Sequence, residues 1–145
     1  MRVDLVSARI EDKVPDLVGR TLNAGDFADL VEKNRMPQQT PAAYVLPGGY
    51  TGGEAQASAG LFVQTMSETV IVIVAVRVAG DPLHSAAVAE ASPIVRQVIE
   101  GVAGWGPDEA PGVFVLSRGE LVGAKDGLLI FQIDFTLMDQ LRITP

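Results

Sequence analysis

Histidine and cysteine, the side chains that most often bind metals or attack substrates, are nearly missing from this sequence. His84 is the single histidine, and there is no cysteine. A zinc site would therefore take most of its ligands from carboxylates, which is uncommon, and a cysteine nucleophile is excluded. His84 lies beside Asp81 and Pro82 near a predicted helix start, where we interpret it as an exposed or lightly hydrogen-bonded residue. We expect no metal, no cofactor and no catalytic residue.

The carboxylates of Asp4, Glu11 and Asp12 are close enough in sequence to suggest general acid and base catalysis. Their helical spacing, however, is typical of a solvated helix face. We interpret them as surface charges rather than as a catalytic pair.

Two glycine pairs lie in the segment from Pro47 to Ala59 (PGGYTGGEAQASA), and glycine pairs can cradle phosphate groups. A Walker loop, however, continues with Lys and Ser or Thr after its last glycine, whereas Glu54 follows Gly53 and would repel phosphate. The composition predicts a loop. Two readings stay open, a mobile surface loop and an arm that becomes ordered against a neighbouring subunit.

Length and charge limit the classes of protein further. The 145 residues fit one domain, residues 1–145, and the net charge is −7 with no cluster of basic residues. Such a chain lacks the basic stripe of a nucleic-acid-binding module. Hydrophobic residues make up 48% of the sequence, which favours some apolar surface buried between subunits.

The N-terminal charges, which include Arg2 and Asp4, argue against a signal peptide. The longest uncharged apolar run, Val70 to Val76, is about a third of what a membrane-spanning helix needs. We expect a soluble cytosolic protein without a membrane partner.

The elements that position these residues include two main helices. Apolar spacing predicts the first over residues 3 to about 14, and a short helical turn follows over Asp26 to Lys33. Asp81-Pro82 predicts the start of the second main helix, with Asp81 as its N-cap. Ser92-Pro93 should kink or split this helix, and the sequence around Trp105, a predicted lid on the core, should end it.

Strands are predicted over the remaining apolar segments: Ala42 to Leu46, Leu61 to Ala79, Phe114 to Leu116, Glu120 to Ala124, and Leu128 to Leu137. Asp126-Gly127 predicts a tight hairpin before the last of these. The order predicts an α+β fold of about four mostly antiparallel strands with two main helices packed on one face.

The run Val70 to Val76 must be covered on both faces of the sheet. One face fits the two helices, and Ile71 and Ile73 point to the other, which we expect a neighbouring copy to cover. Met138 and Leu141 follow the last predicted strand as an apolar tail, which either packs against the core or docks elsewhere. The candidate interface residues are therefore Gly48, Gly49, Tyr50, Thr51, Gly52, Gly53, Ile71, Ile73, Met138 and Leu141.

Several segments, in this order, resemble the tail terminator (tail completion) proteins of long-tailed bacteriophages: TPAAYVLP (residues 40–47), QTMSETVIVIVAVR (64–77), GWGP (104–107) and RGELVGAKDGLLIFQIDF (118–135). The resemblance implies a structural virion protein without catalytic residues. It implies a homo-oligomer, a hexameric ring, that caps the head-proximal end of the tail tube, ends its polymerisation and joins the tail to the head connector. The implied partners are the tail tube protein and a neck or head-completion protein, with DNA passing through the lumen without specific binding. The implied location is the tail–neck junction of the virion, after assembly in the host cytoplasm.

Two alternatives remain at this point. The first is another neck or head-completion protein with a similar small fold. The second is a small α+β ligand-binding domain or an enzyme, which should interrupt the uncovered sheet face with polar groups around a pocket. Val70 to Val76 contains no such interruption, which favours an interface.

Overall fold

The computed structural model describes residues 1–144; Pro145, the last residue of the predicted domain, lies outside the described residues. The elements are α1 (Val3–Lys13), a 3₁₀ turn (Pro15–Leu17), β1 (Thr21–Leu22), α2 (Ala24–Lys33), β2 (Ala42–Ser58), β3 (Leu61–Arg77), α3 (Ser85–Val102), β4 (Phe114–Lys125) and β5 (Leu128–Ile143). The α+β class and the mostly antiparallel sheet are confirmed.

The five strands form one sheet in the order β1-β2-β3-β5-β4. Every pair is antiparallel except β1 with β2. β3 and β5 pair without interruption from Phe62–Ile143 to Arg77–Leu128. The hairpin predicted at Asp126-Gly127 is confirmed, and both residues have positive φ (53° and 78°), as a two-residue turn between twisted strands requires.

One face of the sheet, called the front face below, is covered by α1 and α3. Val70, Val72, Val74 and Val76 are buried there, as the alternation of the strand predicts. α3 begins at Ser85, later than predicted, with His84 at the N-cap position. The Asp81 carboxylate nevertheless accepts a hydrogen bond from the Ala87 backbone N–H (2.9 Å), so it satisfies a donor of the first turn.

Pro93 neither splits nor ends α3, which runs continuously to Val102. The predicted split is wrong, and the predicted kink stays a prediction. The residues that α3 buries on both sides of the proline, including Ala91, Ile94 and Val98, hold the helix on the front face. Tertiary burial therefore outweighs the backbone hydrogen bond that proline removes.

The opposite face, called the back face below, carries the third helix, α2. A capping box between Asn23 and Asp26 begins this helix, and Asn34 in a left-handed conformation (φ 50°) ends it. The sequence predicts only a short turn here, and no helix on this face. Phe27 and Leu30 of α2 pack against a small cluster on β2 and β3.

The largest difference from the sequence prediction is in β2, because most of the predicted loop Pro47 to Ala59 is strand. Its glycines occur where the register with β3 shifts, near Gly48 and between Gly52 and Ala55. A Cβ on Gly48 would lie 2.7 Å from Cγ2 of Thr69, so this glycine allows two strands to approach closely. Glycine marks bulges here rather than a flexible loop.

The other strands are also longer than predicted. β4 is one strand instead of two pieces, with register shifts between Leu116 and Arg118 and between Leu121 and Gly123. β5 continues past Leu137 to Ile143, so the predicted apolar tail is strand.

Candidate functional site: surfaces for assembly

The residues first considered for chemistry do not come together. Asp4 and Asp12 are exposed on α1, and the Glu11 carboxylate accepts a hydrogen bond from the Gly19 backbone N–H (2.8 Å). His84 is half-buried at the start of α3. Residues 1–144 contain no group of three His, Asp or Glu side chains arranged to hold a metal ion.

The end of the β2–β3 hairpin projects beyond the helices. We call residues Tyr50 to Leu61 the hairpin arm; every one of them is exposed. β3 orders the arm within a single chain, from Tyr50–Glu68 to Ser58–Leu61. β3 therefore supplies the backbone partners of the arm, and its contact with a neighbouring subunit stays a prediction.

The candidate interface residues Gly48, Gly49, Tyr50, Thr51, Gly52 and Gly53 all lie on this hairpin, at its base or in the arm. A Cβ added to Gly48, Gly52 or Gly53 would lie less than 3.0 Å from a side-chain atom of β3. Tyr50, by contrast, presents an exposed ring. The structure thus separates glycines that shape the hairpin from a side chain that can contact a partner.

Ile71 and Ile73 lie on the back face, as predicted, but the two differ. Ile73 is only 5% exposed because Phe27, Leu30 and Tyr44 surround it under α2. The Phe27 and Tyr44 rings meet with centroids 5.4 Å apart. Ile71 is half-buried at the margin of this cluster. α2 therefore supplies, at Ile73, the second layer that the sequence assigned to a neighbouring copy.

Met138 and Leu141 lie near the end of β5, and both are exposed. They point to opposite faces because strand residues of odd and even number alternate. Met138 is on the back face beside Ser67, whose hydroxyl contacts its sulfur at 3.2 Å. Leu141 is on the front face, opposite Gln64 and beyond the reach of the buried core.

A buried ion pair ends the front-face core at the base of the arm. Glu68 is 1% exposed, and its carboxylate accepts hydrogen bonds from the Arg2 backbone N–H (2.5 Å) and the Arg2 guanidinium (2.7 Å). Asp139 lies 3.4 Å from the same guanidinium. Sequence analysis did not identify Glu68 as a buried residue. Its even number, shared with Val70 and Val72, was the signal that it faces the core.

Trp105 confirms its predicted position as a lid on the core. Its ring stacks on Phe114 with centroids 5.8 Å apart, and the Arg9 guanidinium lies 5.2 Å from the ring centroid. The cation therefore closes the outer side of the lid.

Comparison with known proteins decides the family. The sequence matches the family described as Phage tail terminator protein over residues 1–145, which is the whole chain. This chain belongs to the phage tail terminator family. A search of the curated proteins found no match. The family makes the protein a structural component of a phage tail, and the resemblance seen in the sequence is confirmed.

The protein also has a cleft of about 360 Å³ beside α2, where the ligand-binding alternative would place its pocket. Arg20, Asp26 and Tyr44 are among the residues that line it. Burial raises the pKa of the Tyr44 phenol, and the Asp26 carboxylate raises it further.

None of the helices in residues 1–144 is long and apolar enough to cross a membrane.

Proposed function

We propose that this tail terminator forms a closed ring on the head-proximal end of the tail tube, where it stops tube growth and joins the tail to the head connector. Membership of the terminator family over the whole chain is the observation that carries the proposal. A hexamer is the proposed stoichiometry, with assembly in the host cytoplasm and a final position at the tail–neck junction.

The proposed contacts fall on the surfaces that the fold leaves open. Tyr50 and Thr51 on the arm, together with Ile71, Met138 and Leu141, are available to meet the tail tube protein, the neck or head-completion protein, or another copy. Gly48, Gly49, Gly52 and Gly53 would act by shaping the hairpin. Ile73 would act only indirectly, through its packing against α2.

The charge of the protein supports passage of DNA through the ring. Each copy carries a net charge of −7, so a ring of several copies is strongly negative as a whole. DNA that contacted many Lys and Arg side chains would gain salt-dependent affinity and move slowly. We propose that DNA crosses this ring without specific binding.

The test is assembly with the tail tube protein of the same phage. Electron microscopy of the mixture should show tubes with a ring at one end and a shorter length distribution than tubes grown alone. Native mass spectrometry of the ring should give its stoichiometry.

A matched pair of variants places the contact. Tyr50→Ser removes an exposed apolar side chain from the arm, and Leu83→Ser removes one from the loop before α3. We expect Tyr50→Ser to weaken capping and Leu83→Ser to leave it unchanged. Tubes of unrestricted length, with the protein monomeric beside them, would overturn the proposal.

A further inference from the structure

The sheet has two open edges, one at each side. Within residues 1–144, β4 pairs only with β5, so its other edge carries unpaired backbone N–H and C=O groups. At the opposite side, β1 covers β2 only at Ala43 and Tyr44. The outer edge of β2 is therefore free from Val45 to Ser58 among the described residues. Open edges of this length are templates for adding another strand.

The side chains of β4 also favour a partner. Four apolar side chains of this strand, Val115, Leu116, Leu121 and Val122, are 43–50% exposed. Arg118 and Glu120, the charged residues between them, pair with each other. The middle of this edge thus lacks the unpaired lysine that often protects an edge strand.

The two outer strands share a second property, their irregular register. β2 and β4 each contain two register shifts, whereas β3 and β5 pair without any. Bulges bend and twist the strand that carries them, and they are common at barrel rims. Bulged outer strands beside a regular centre are the arrangement that a segment of a larger closed sheet would have.

The strand directions also match. β2, β3, β5 and β4 alternate in direction, because each neighbouring pair is antiparallel. Rotation about a ring axis keeps the direction of every strand relative to that axis. β4 of one copy consequently runs opposite to β2 of the next, so the two open edges can form an antiparallel ladder.

We propose that the β4 edge of each copy pairs with the Val45–Ser58 edge of the next copy, so that the sheets of the ring join into one continuous sheet. The occupant of each edge is a second copy of this chain, and the contact is head-to-tail, which closes a ring. This inference rests on the proposed ring and assigns the surfaces that build it.

Disulfide cross-linking tests the proposal directly, because the chain has no cysteine and each introduced thiol is unique. Leu116→Cys or Val122→Cys on β4 is combined with Tyr50→Cys or Gln56→Cys on β2. Within one copy these edges are separated by β3 and β5, about 14 Å in total, which is too far for a disulfide. Oxidised rings should therefore give covalent multimers up to the size of the ring.

The control places the second cysteine on an exposed residue away from both edges, as in Val122→Cys with Val88→Cys on α3. This pair should leave most of the protein monomeric after oxidation. A single Val122→Cys variant that gives only dimers would show a two-fold contact between β4 edges and would overturn the inference.

Hydrogen exchange gives a readout that does not depend on the register between copies. Assembly should slow exchange at least about tenfold for amides of β4 and of β2 beyond Val45, and leave the amides of α3 unchanged. If rings form without protection of these edges and without cross-links, the edge pairing is wrong and the proposed function stands. If no ring forms even with the tube protein present, both proposals fail.

Discussion

Arg2→Met should destabilise this protein strongly, because it leaves the Glu68 carboxylate buried without a compensating charge. Arg2 supplies both hydrogen bonds that Glu68 accepts, and the substitution removes the guanidinium while the backbone N–H remains. Breaking a buried ion pair by removing one partner costs about 3–5 kcal/mol. The Arg2 side chain is partly exposed, so we expect the lower end, about 3 kcal/mol of unfolding free energy. For a chain of this length that corresponds to a fall in Tm of roughly 10 °C.

Urea unfolding, followed by circular dichroism and by the fluorescence of the single Trp105, measures the change. Arg96→Met is the matched control. Arg96 and Glu100 also lie 2.7 Å apart, but their side chains are 75% and 61% exposed. An exposed pair of this kind contributes about 0.3–0.5 kcal/mol. The difference between the two variants isolates the effect of burial.

A second experiment uses the double variant Arg2→Met with Glu68→Leu, which removes both charges and fills the site with apolar atoms. It should be more stable than Arg2→Met alone, because no carboxylate remains buried. Asp139→Asn in the Arg2→Met background should also restore some stability, since it removes a neighbouring like charge. If Arg2→Met costs no more than Arg96→Met, the argument from the burial of Glu68 is wrong.

Three further outcomes are expected. Val74→Asp and Ile73→Asp should both unfold the protein, because both side chains are buried within one copy and each carboxylate would cost several kcal/mol of unfolding free energy. If circular dichroism showed a folded Ile73→Asp protein, α2 would not cover this position. Gly53→Ala should lower Tm because its Cβ would lie 2.9 Å from Oγ1 of Thr65. Gly119→Ala, which has open space around it, should leave Tm unchanged. Equal changes in Tm for the two variants would mean that the close approach of the strands does not require glycine on β2. Burial raises the folded pKa of Tyr44 above its unfolded value, so the contribution of Tyr44 to stability is fully present below about pH 10 and is lost as the pH rises through the folded pKa. The loss of unfolding free energy at alkaline pH should therefore be smaller in Tyr44→Phe than in the unchanged protein. Identical pH profiles of the two proteins would contradict this.

The sequence predicts the front half of the fold well because its signals there are local. The alternation from Val70 to Val76, the apolar spacing of residues 3 to 14 and the Asp126-Gly127 turn each depend on a few neighbouring residues. β2 was missed for the opposite reason. Its residues 47–58 have little apolar character, and they are strand because β3 offers a backbone partner.

The candidate interface residues show the same difference between local and long-range signals. The exposed Met138 and Leu141 could be found from the sequence, although not their place on a strand. The cover of Ile73 by Phe27 and Leu30 depends on how α2 folds back across the sheet, and no local pattern reports that path. The ion pair of Arg2 with Glu68 joins residues 66 positions apart, so no local pattern reports it. The sequence signal was the even number of Glu68, which it shares with the residues of β3 that face the core.

The central position of β3 has a consequence for synthesis on the ribosome. β3 ends at Arg77, but its partner β5 is complete only at Ile143, so 66 further residues are made first. At about 5–20 residues per second this takes about 3–13 s, during which one side of β3 has no partner. Val70 to Val76 carries neither charge nor proline, and such a segment aggregates readily when it is unpaired. Glu68 and Arg77 place charges beside this segment, which oppose aggregation of the unpaired strand. We therefore expect the soluble yield to depend on how soon β5 is made as well as on the stability of the finished fold.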